Sequence, residues 1–250
     1  MATARFERYE YKYFLPASQA GAIRRFISPY VRPDAHADGR YRVSNIYLDT
    51  PELEFYREHQ RGALDRFKLR IRAYDVERTD RVFFEIKRKI KNVILKHRVE
   101  VPRTRCADFL EEEDALFEEF RGRSILHGVQ PVLLLEYERE AYESTLEDEA
   151  RITFDRGIRY QPAKDLDFAA DQGGWTGVDG ARAMSNVSTA ILVELKFNTT
   201  CPVWMIDLVR TFNLERQSFS KYLAAMDHVL EVRSEDQDWD RASILGAAYE

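Results

Sequence analysis

The stretch Phe67-Lys68-Leu69-Arg70-Ile71-Arg72-Ala73-Tyr74 alternates cations with apolar residues without a break. A strand points successive side chains to opposite faces, so Lys68, Arg70 and Arg72 share one face and Leu69, Ile71 and Ala73 the other. Related stripes recur on other predicted strands: Arg8, Glu10 and Lys12; Glu85, Lys87 and Lys89; Lys96, Arg98 and Glu100; Arg151, Thr153 and Asp155; Glu194 and Lys196. One such stripe alone reads as the solvated face of a half-buried sheet. Solvated faces usually mix Ser, Thr, Gln and Asn with charge, whereas these stripes are nearly all charge. Stacked in one sheet they repel each other unless a polyanion, or interleaved carboxylates, sit among them. The pattern points to a phosphate-rich ligand held inside a β-structure.

The surrounding composition limits the alternatives. With 44% hydrophobic and 32% charged residues the chain suits a globular protein rather than a disordered one. A formal net charge of −5 argues against nucleic acid as a partner, so a polyanion site must be local. Cys106 and Cys201 show no metal-ligand spacing and read as reduced thiols. Arg5, Glu7, Arg8 and Glu10 interrupt any apolar leader, and no window is apolar for long enough to cross a bilayer. A soluble, cytoplasmic protein without direct membrane insertion is expected, as one domain over residues 1–232 and a polar tail over 233–250. No oligomeric state is implied.

Eight strands are predicted, at 8–15, 41–49, 64–74, 82–89, 92–101, 131–142, 151–160 and 190–198. Helices are predicted from Pro16 to about Tyr30, from Pro51 with Thr50 as N-cap, over 104–120, from Pro202 to Phe212, and over 218–228. The 104–120 helix would bury Phe109, Leu110, Leu116, Phe117 and Phe120. The segment Asp171-Gln172-Gly173-Gly174-Trp175-Thr176-Gly177 reads as a loop. The expected fold is α+β: an eight-stranded antiparallel β-barrel with flanking helices. Small barrels normally fill with apolar side chains, so the charged alternate face implies a hydrated tunnel.

Arginine forks grip phosphate oxygens and lysine supplies a compact charge, while carboxylates such as Glu10 and Glu194 hold Mg²⁺ or Mn²⁺. Phosphoryl transfer needs chiefly positioning and charge neutralisation. No nucleophile–histidine arrangement is visible: His36, His59, His97, His127 and His228 are scattered, and neither a P-loop nor a dinucleotide glycine pattern occurs.

At this point the residues resemble a known family. Arg8-Tyr9-Glu10-Tyr11-Lys12-Tyr13, Ile46-Tyr47-Leu48-Asp49-Thr50, Leu69-Arg70-Ile71-Arg72-Ala73-Tyr74, Phe84-Glu85-Ile86-Lys87, Glu138-Arg139, Arg151-Ile152-Thr153-Phe154-Asp155, Val193-Glu194-Leu195-Lys196 and Phe219-Ser220-Lys221-Tyr222 follow one another in the order seen in vacuolar transporter chaperone (VTC) domains. These domains are the polyphosphate polymerase branch of the triphosphate tunnel metalloenzymes, which include the CYTH proteins. The resemblance implies phosphate contacts from Lys12, Arg70, Arg72, Lys87, Arg139, Arg151, Lys196 and Lys221, with Lys96 or Arg98 adding another. It implies a Mn²⁺ or Mg²⁺ ion on Glu194. Lys68 is left at the tunnel edge. Taken alone, Lys221 reads as a surface lysine on the last helix; the resemblance makes it part of a lid or plug near the tunnel mouth.

Arg139 shares a face with Tyr137, so Glu136 and Glu138 are expected to point outward. Many tunnel phosphatases open on Glu-x-Glu-x-Lys, and Arg8 stands here in place of the first glutamate. That tilts the reading from hydrolysis towards transfer: a polymerase using ATP and a polyphosphate chain, with room for a separate membrane partner. The alternatives are a triphosphatase and a non-catalytic polyphosphate or nucleotide sensor.

Overall fold

The computed structural model describes residues 8–34, 40–90, 93–106, 118–147, 150–171, 173–178 and 190–235. In chain order these form β1 (Arg8–Pro16), α1 (Ala17–Ile27), β2 (Val31–Pro33), β3 (Arg40–Asp49), α2 (Glu54–Gln60), β4 (Asp65–Tyr74), β5 (Arg81–Ile90) and β6 (Val93–Pro102). A 3-10 turn (Arg103–Arg105) follows, then α3 (Glu118–His127), β7 (Gln130–Ser144), β8 (Arg151–Pro162), β9 (Thr176–Gly177), β10 (Ala190–Asn198), α4 (Val203–Thr211) and α5 (Lys221–Glu235).

Eight of the strands run side by side as β1-β10-β8-β7-β3-β4-β5-β6, every pair antiparallel. The short β2 adds to β7, and β9 adds to β8. The sheet curls as a barrel would, but β1 and β6 are not joined by backbone hydrogen bonds. Side chains span the gap instead: Lys87 of β5 donates to Glu10 of β1 at 3.4 Å.

Parity divides each strand between an apolar outer face and the interior. On one side, outward residues of β3–β6 such as Ile46, Leu69, Ile71, Phe84 and Ile86 pack under Phe55 of α2 and Phe120 of α3. On the other, Tyr13, Leu15, Ile152, Phe154, Val193 and Leu195 pack under α1 and α4 through Ile23, Ile27, Trp204 and Leu208. The interior is most apolar where α5 crosses it. There Tyr222, Ala225 and Met226 meet Tyr47, Leu133, Leu135, Ile158, Tyr160 and Leu192.

A β-bulge makes this change of character possible within β8. Between Glu136/Arg159 and Glu138/Arg156 the register shifts, so Gly157 and Ile158 stand against the single Tyr137. Gly157 takes φ +55°, the left-handed conformation that suits glycine at such a bulge. The extra residue inverts the parity of β8. Odd residues 151–155 and even residues 158–160 thereby face the same interior, the first set polar and the second apolar.

Several expected boundaries move. Pro16 and Pro202 each cap their helices from an extended conformation rather than occupying the first helical position. The helix expected at Pro51 begins at Glu54 because Asp49 organises the turn: its carboxylate accepts from the backbone N–H of Thr50, Phe55 and Tyr56. Leu53, at φ 57°, precedes the first helical residue, and the Thr50 hydroxyl accepts from Glu54 N–H. Most of the helix expected over 104–120 lies outside the described residues, including Phe109, Leu110, Leu116 and Phe117; α3 runs on to His127 and buries Phe120. The Gly-rich segment contributes the small strand β9, and the last helix starts at Lys221 rather than Ser218 and continues to Glu235.

Candidate active site

The polar interior encloses a cavity of about 1000 Å³. Twelve lysines and arginines and five carboxylates line it, so it is cationic within a chain of net charge −5. The residues singled out from the sequence all reach it: Glu10, Lys12, Arg70, Arg72, Lys87, Lys96, Arg98, Arg139, Arg151, Glu194, Lys196 and Lys221. Arg151 sits at the rim, 2.7 Å from Glu143, with 44% of its side chain exposed. Glu136 and Glu138 lie on the opposite face, against Arg159 and Arg40. Of the remaining stripe residues, Lys89 does not line the cavity, and the Arg8 side chain is outside the described set.

Two buried carboxylates organise the cations. Glu85 lies 2.6 Å from Arg70, 2.8 Å from Lys96, 3.6 Å from Arg98 and 3.9 Å from Arg72. Glu194 lies 2.6 Å from Lys196, 3.1 Å from Lys221, 3.4 Å from Arg139 and 3.8 Å from Lys12. Burial would raise both carboxyl pKa values. Arg70, Arg72 and Lys96 around the first, and Lys196, Lys221, Lys12 and Arg139 around the second, outweigh it and hold both well below the usual range. Asp155, fully buried, is gripped by Nε and Nη2 of Arg139 at 2.7 Å and by Lys221 at 2.6 Å.

Sequence reasoning put Glu85 and Asp155 on the inward face but gave them no role, because parity assigns a face and not a neighbour. It also misplaced Lys68. That residue lies in the cavity wall rather than at its edge, donating to Ser220 Oγ at 2.8 Å beside the Tyr222 ring, with no ion pair among the described residues. Burial, then Lys87, Lys12, Arg70 and Arg66, depress its pKa well below that of a free lysine. Tyr47, Tyr74 and Tyr137 went unmarked too; their hydroxyls meet Arg70 and Arg72 at 3.3–3.5 Å.

Among the described residues no group of three or more His, Cys, Asp and Glu converges on one point. Glu10 and Glu194 nevertheless share Lys12, at 3.1 and 3.8 Å. Mg²⁺ commonly takes one or two carboxylates and completes its shell with substrate phosphates and water, and this donor pair fits that chemistry.

Burial pulls the Lys96 ammonium down to about 8, with Arg70 and Arg72 opposing its charge and Glu85 favouring it. Tyr74, which burial alone would raise, is brought down to about 8 by Arg72 and Arg98. Above that pH the wall loses a positive charge and gains a negative one. A bound phosphate favours the protonated form of both groups, so triphosphate affinity should fall as pH rises through about 8, with proton uptake on binding there. Calorimetry in buffers of different ionisation enthalpy reads both effects, and Lys96→Met with Tyr74→Phe should flatten the profile.

A family model described as the VTC domain matches residues 7–230. The chain belongs to the VTC domain family. Among solved structures, a "putative adenylate cyclase" from Bacillus halodurans shares the fold at TM-score 0.50 and 13% identity, over 84% of this chain and 92% of that one. A "putative adenylate cyclase" from Vibrio parahaemolyticus is more distant, at TM-score 0.47 and 13% identity over 90% and 99% of the two chains. No curated protein matches by sequence. The architecture is thus the triphosphate tunnel fold, and VTC membership supports a phosphoryl-handling role for its charged interior. Enzymes of these families typically act on triphosphates and generally use divalent metal ions. Among the described residues no helix is long and apolar enough to cross a membrane.

Proposed function

We propose that this VTC domain is a metal-dependent polyphosphate polymerase, passing the γ-phosphoryl group of ATP to a phosphate or polyphosphate chain held in the cavity. The observation that carries the reading is the wall itself, with twelve cations, eight of them grouped around the buried carboxylates Glu85 and Glu194. As phosphates enter, Lys12, Arg139, Lys196 and Lys221 are shared between Glu194 and the phosphate oxygens, and Arg70, Arg72, Lys96 and Arg98 are shared in the same way with Glu85. Lys87 and Arg151 extend the grip towards the rim. Glu194, with Glu10, would hold Mn²⁺ or Mg²⁺, which when bound neutralises charge on the phosphate oxygens.

Transfer is favoured over hydrolysis by the state of these carboxylates. Burial would raise Glu10, but Lys87, Lys12 and Lys196 hold it well below its usual pKa, as Glu194 is held by its own four cations. A carboxylate so stabilised is a weak base for activating water. The remaining work, orienting phosphates and cancelling their charge, falls to the arginines and lysines.

Incubation of the purified protein with ATP and Mn²⁺ should yield long phosphate chains, resolved as a ladder on a gel. ADP with free phosphate alone would instead identify a triphosphatase. Binding without turnover for any metal would identify a sensor.

A further inference from the structure

One cation in the cavity wall differs from its neighbours. Every other lysine or arginine lining the cavity lies within 3.9 Å of a carboxylate. Lys68 forms no ion pair among the described residues, and its partner is the Ser220 hydroxyl, 2.8 Å away. The Tyr222 ring lies 5.7 Å from its Nζ. Burial, then the positive charges of Lys87, Lys12, Arg70 and Arg66, hold Lys68 well below an ordinary lysine. His59 of α2 is a further titratable neighbour, pulled down to about 3 by burial and by Lys68. A positive charge is thus disfavoured here, and the free amine is a base in contact with a hydroxyl.

Ser220 has a structural duty as well. It precedes α5, and its Oγ accepts from Leu223 N–H at 3.3 Å, as an N-cap does. Capping uses an acceptor site and leaves the hydroxyl proton free. That proton is the one a neutral Lys68 can take. Both side chains line the cavity, and two further lysines flank them: Lys12 Nζ donates to the Phe219 carbonyl at 2.8 Å, and Lys221 is the next residue. The start of α5 adds the positive end of the helix dipole. A hydroxyl with a base in contact, inside a cationic cavity, has the arrangement of an activated nucleophile.

We infer that the protein phosphorylates itself, with Ser220 as the acceptor and Lys68 as the base. Ser220 Oγ attacks the γ-phosphorus of ATP, and the Oγ–P bond forms as the bond from that phosphorus to the β–γ bridging oxygen breaks. The hydroxyl proton passes to Lys68, and the bonding electrons leave on the bridging oxygen of ADP. The phosphoserine then lies at the N-terminus of α5 beside a Lys68 that has become an ammonium. The step therefore supplies the counter-charge that Lys68 lacks. This rests on the polymerase reading for the donor, and adds to it a phosphoryl acceptor within the chain itself.

The purified protein, incubated with Mn²⁺ and ATP labelled in its γ-phosphate, is denatured and freed of unbound phosphate, and the label is located by peptide mass spectrometry. Wild type should keep label on the peptide carrying Ser220, stable to acid and released by alkali as a phosphoserine ester is. Ser220→Asn keeps a good N-cap without a hydroxyl, so it should fold and carry no label. Lys68→Met removes the base and should slow labelling about 100-fold. Lys68→Arg, still cationic, should be as slow; labelling near the wild-type rate in that variant would overturn the role of Lys68 as base. Acid-labile label would place the phosphate on nitrogen, and label persisting in Ser220→Asn would place it on another residue. Either result overturns the proposal, as does an unlabelled wild type. Free phosphate chains without labelled protein would sink this inference and leave the polymerase reading standing, whereas labelled protein without free chains would do the reverse.

Discussion

Arg139→Ala should cost about 3–5 kcal/mol of stability, the range typical of breaking a buried ion pair from one side. Asp155 has no solvent exposure, and both of its oxygens are taken by Arg139 at 2.7 Å. Removing the guanidinium leaves the buried carboxylate with Lys221 as its remaining cation. It also removes one of the four cations around Glu194. The penalty should depend on pH in a defined direction. Burial would raise the Asp155 pKa, but Arg139 and Lys221 hold it below the ordinary value. Their contribution is therefore present above the unfolded carboxylate pKa and is lost as pH falls through the native one. Urea unfolding should show the largest deficit near neutral pH and a smaller one in acid. Arg139→Lys, which keeps the charge but not the fork, should fall between wild type and the alanine variant.

The second large effect is on turnover. Glu194→Gln keeps the shape and the oxygen acceptor but removes the charge a divalent cation needs. If metal on this residue supplies much of the charge neutralisation at the reacting phosphates, phosphoryl transfer should fall by about 100-fold or more, the scale of losing one preorganised electrostatic contact. Product analysis under saturating Mn²⁺ and ATP measures it. Glu10→Gln should have a smaller effect, because Glu10 lies nearer the open side of the sheet, 3.4 Å from Lys87, and shares Lys12 with Glu194.

Much of this architecture is legible in the chain because period-two alternation is so strict. Lys68 to Tyr74 fixes which side of β4 faces inward, and Leu133, Leu135, Tyr137 and Arg139 show one face of β7 passing from apolar to charged. Pairings across the sheet are not local information. Glu85 and Asp155 each depend on strands distant in sequence, so alternation could place them inside without revealing that they hold the arginines in position. The bulge at Gly157 inverts parity midway along β8, and a lone glycine within a strand only hints at it. The delayed start of α2 follows from the Asp49 side chain, a capping device that the Thr50-Pro51 pair masks.

Affinity of Glu194→Gln for inorganic triphosphate without metal is the most direct measurement of where the phosphates go. If they occupy the centre of the cavity, the native carboxylate repels them and competes for Lys12, Arg139, Lys196 and Lys221. Removing its charge should then tighten binding while turnover is lost. Unchanged or weaker triphosphate binding in a folded Glu194→Gln protein would contradict the account, because the phosphates would then lie away from those four cations.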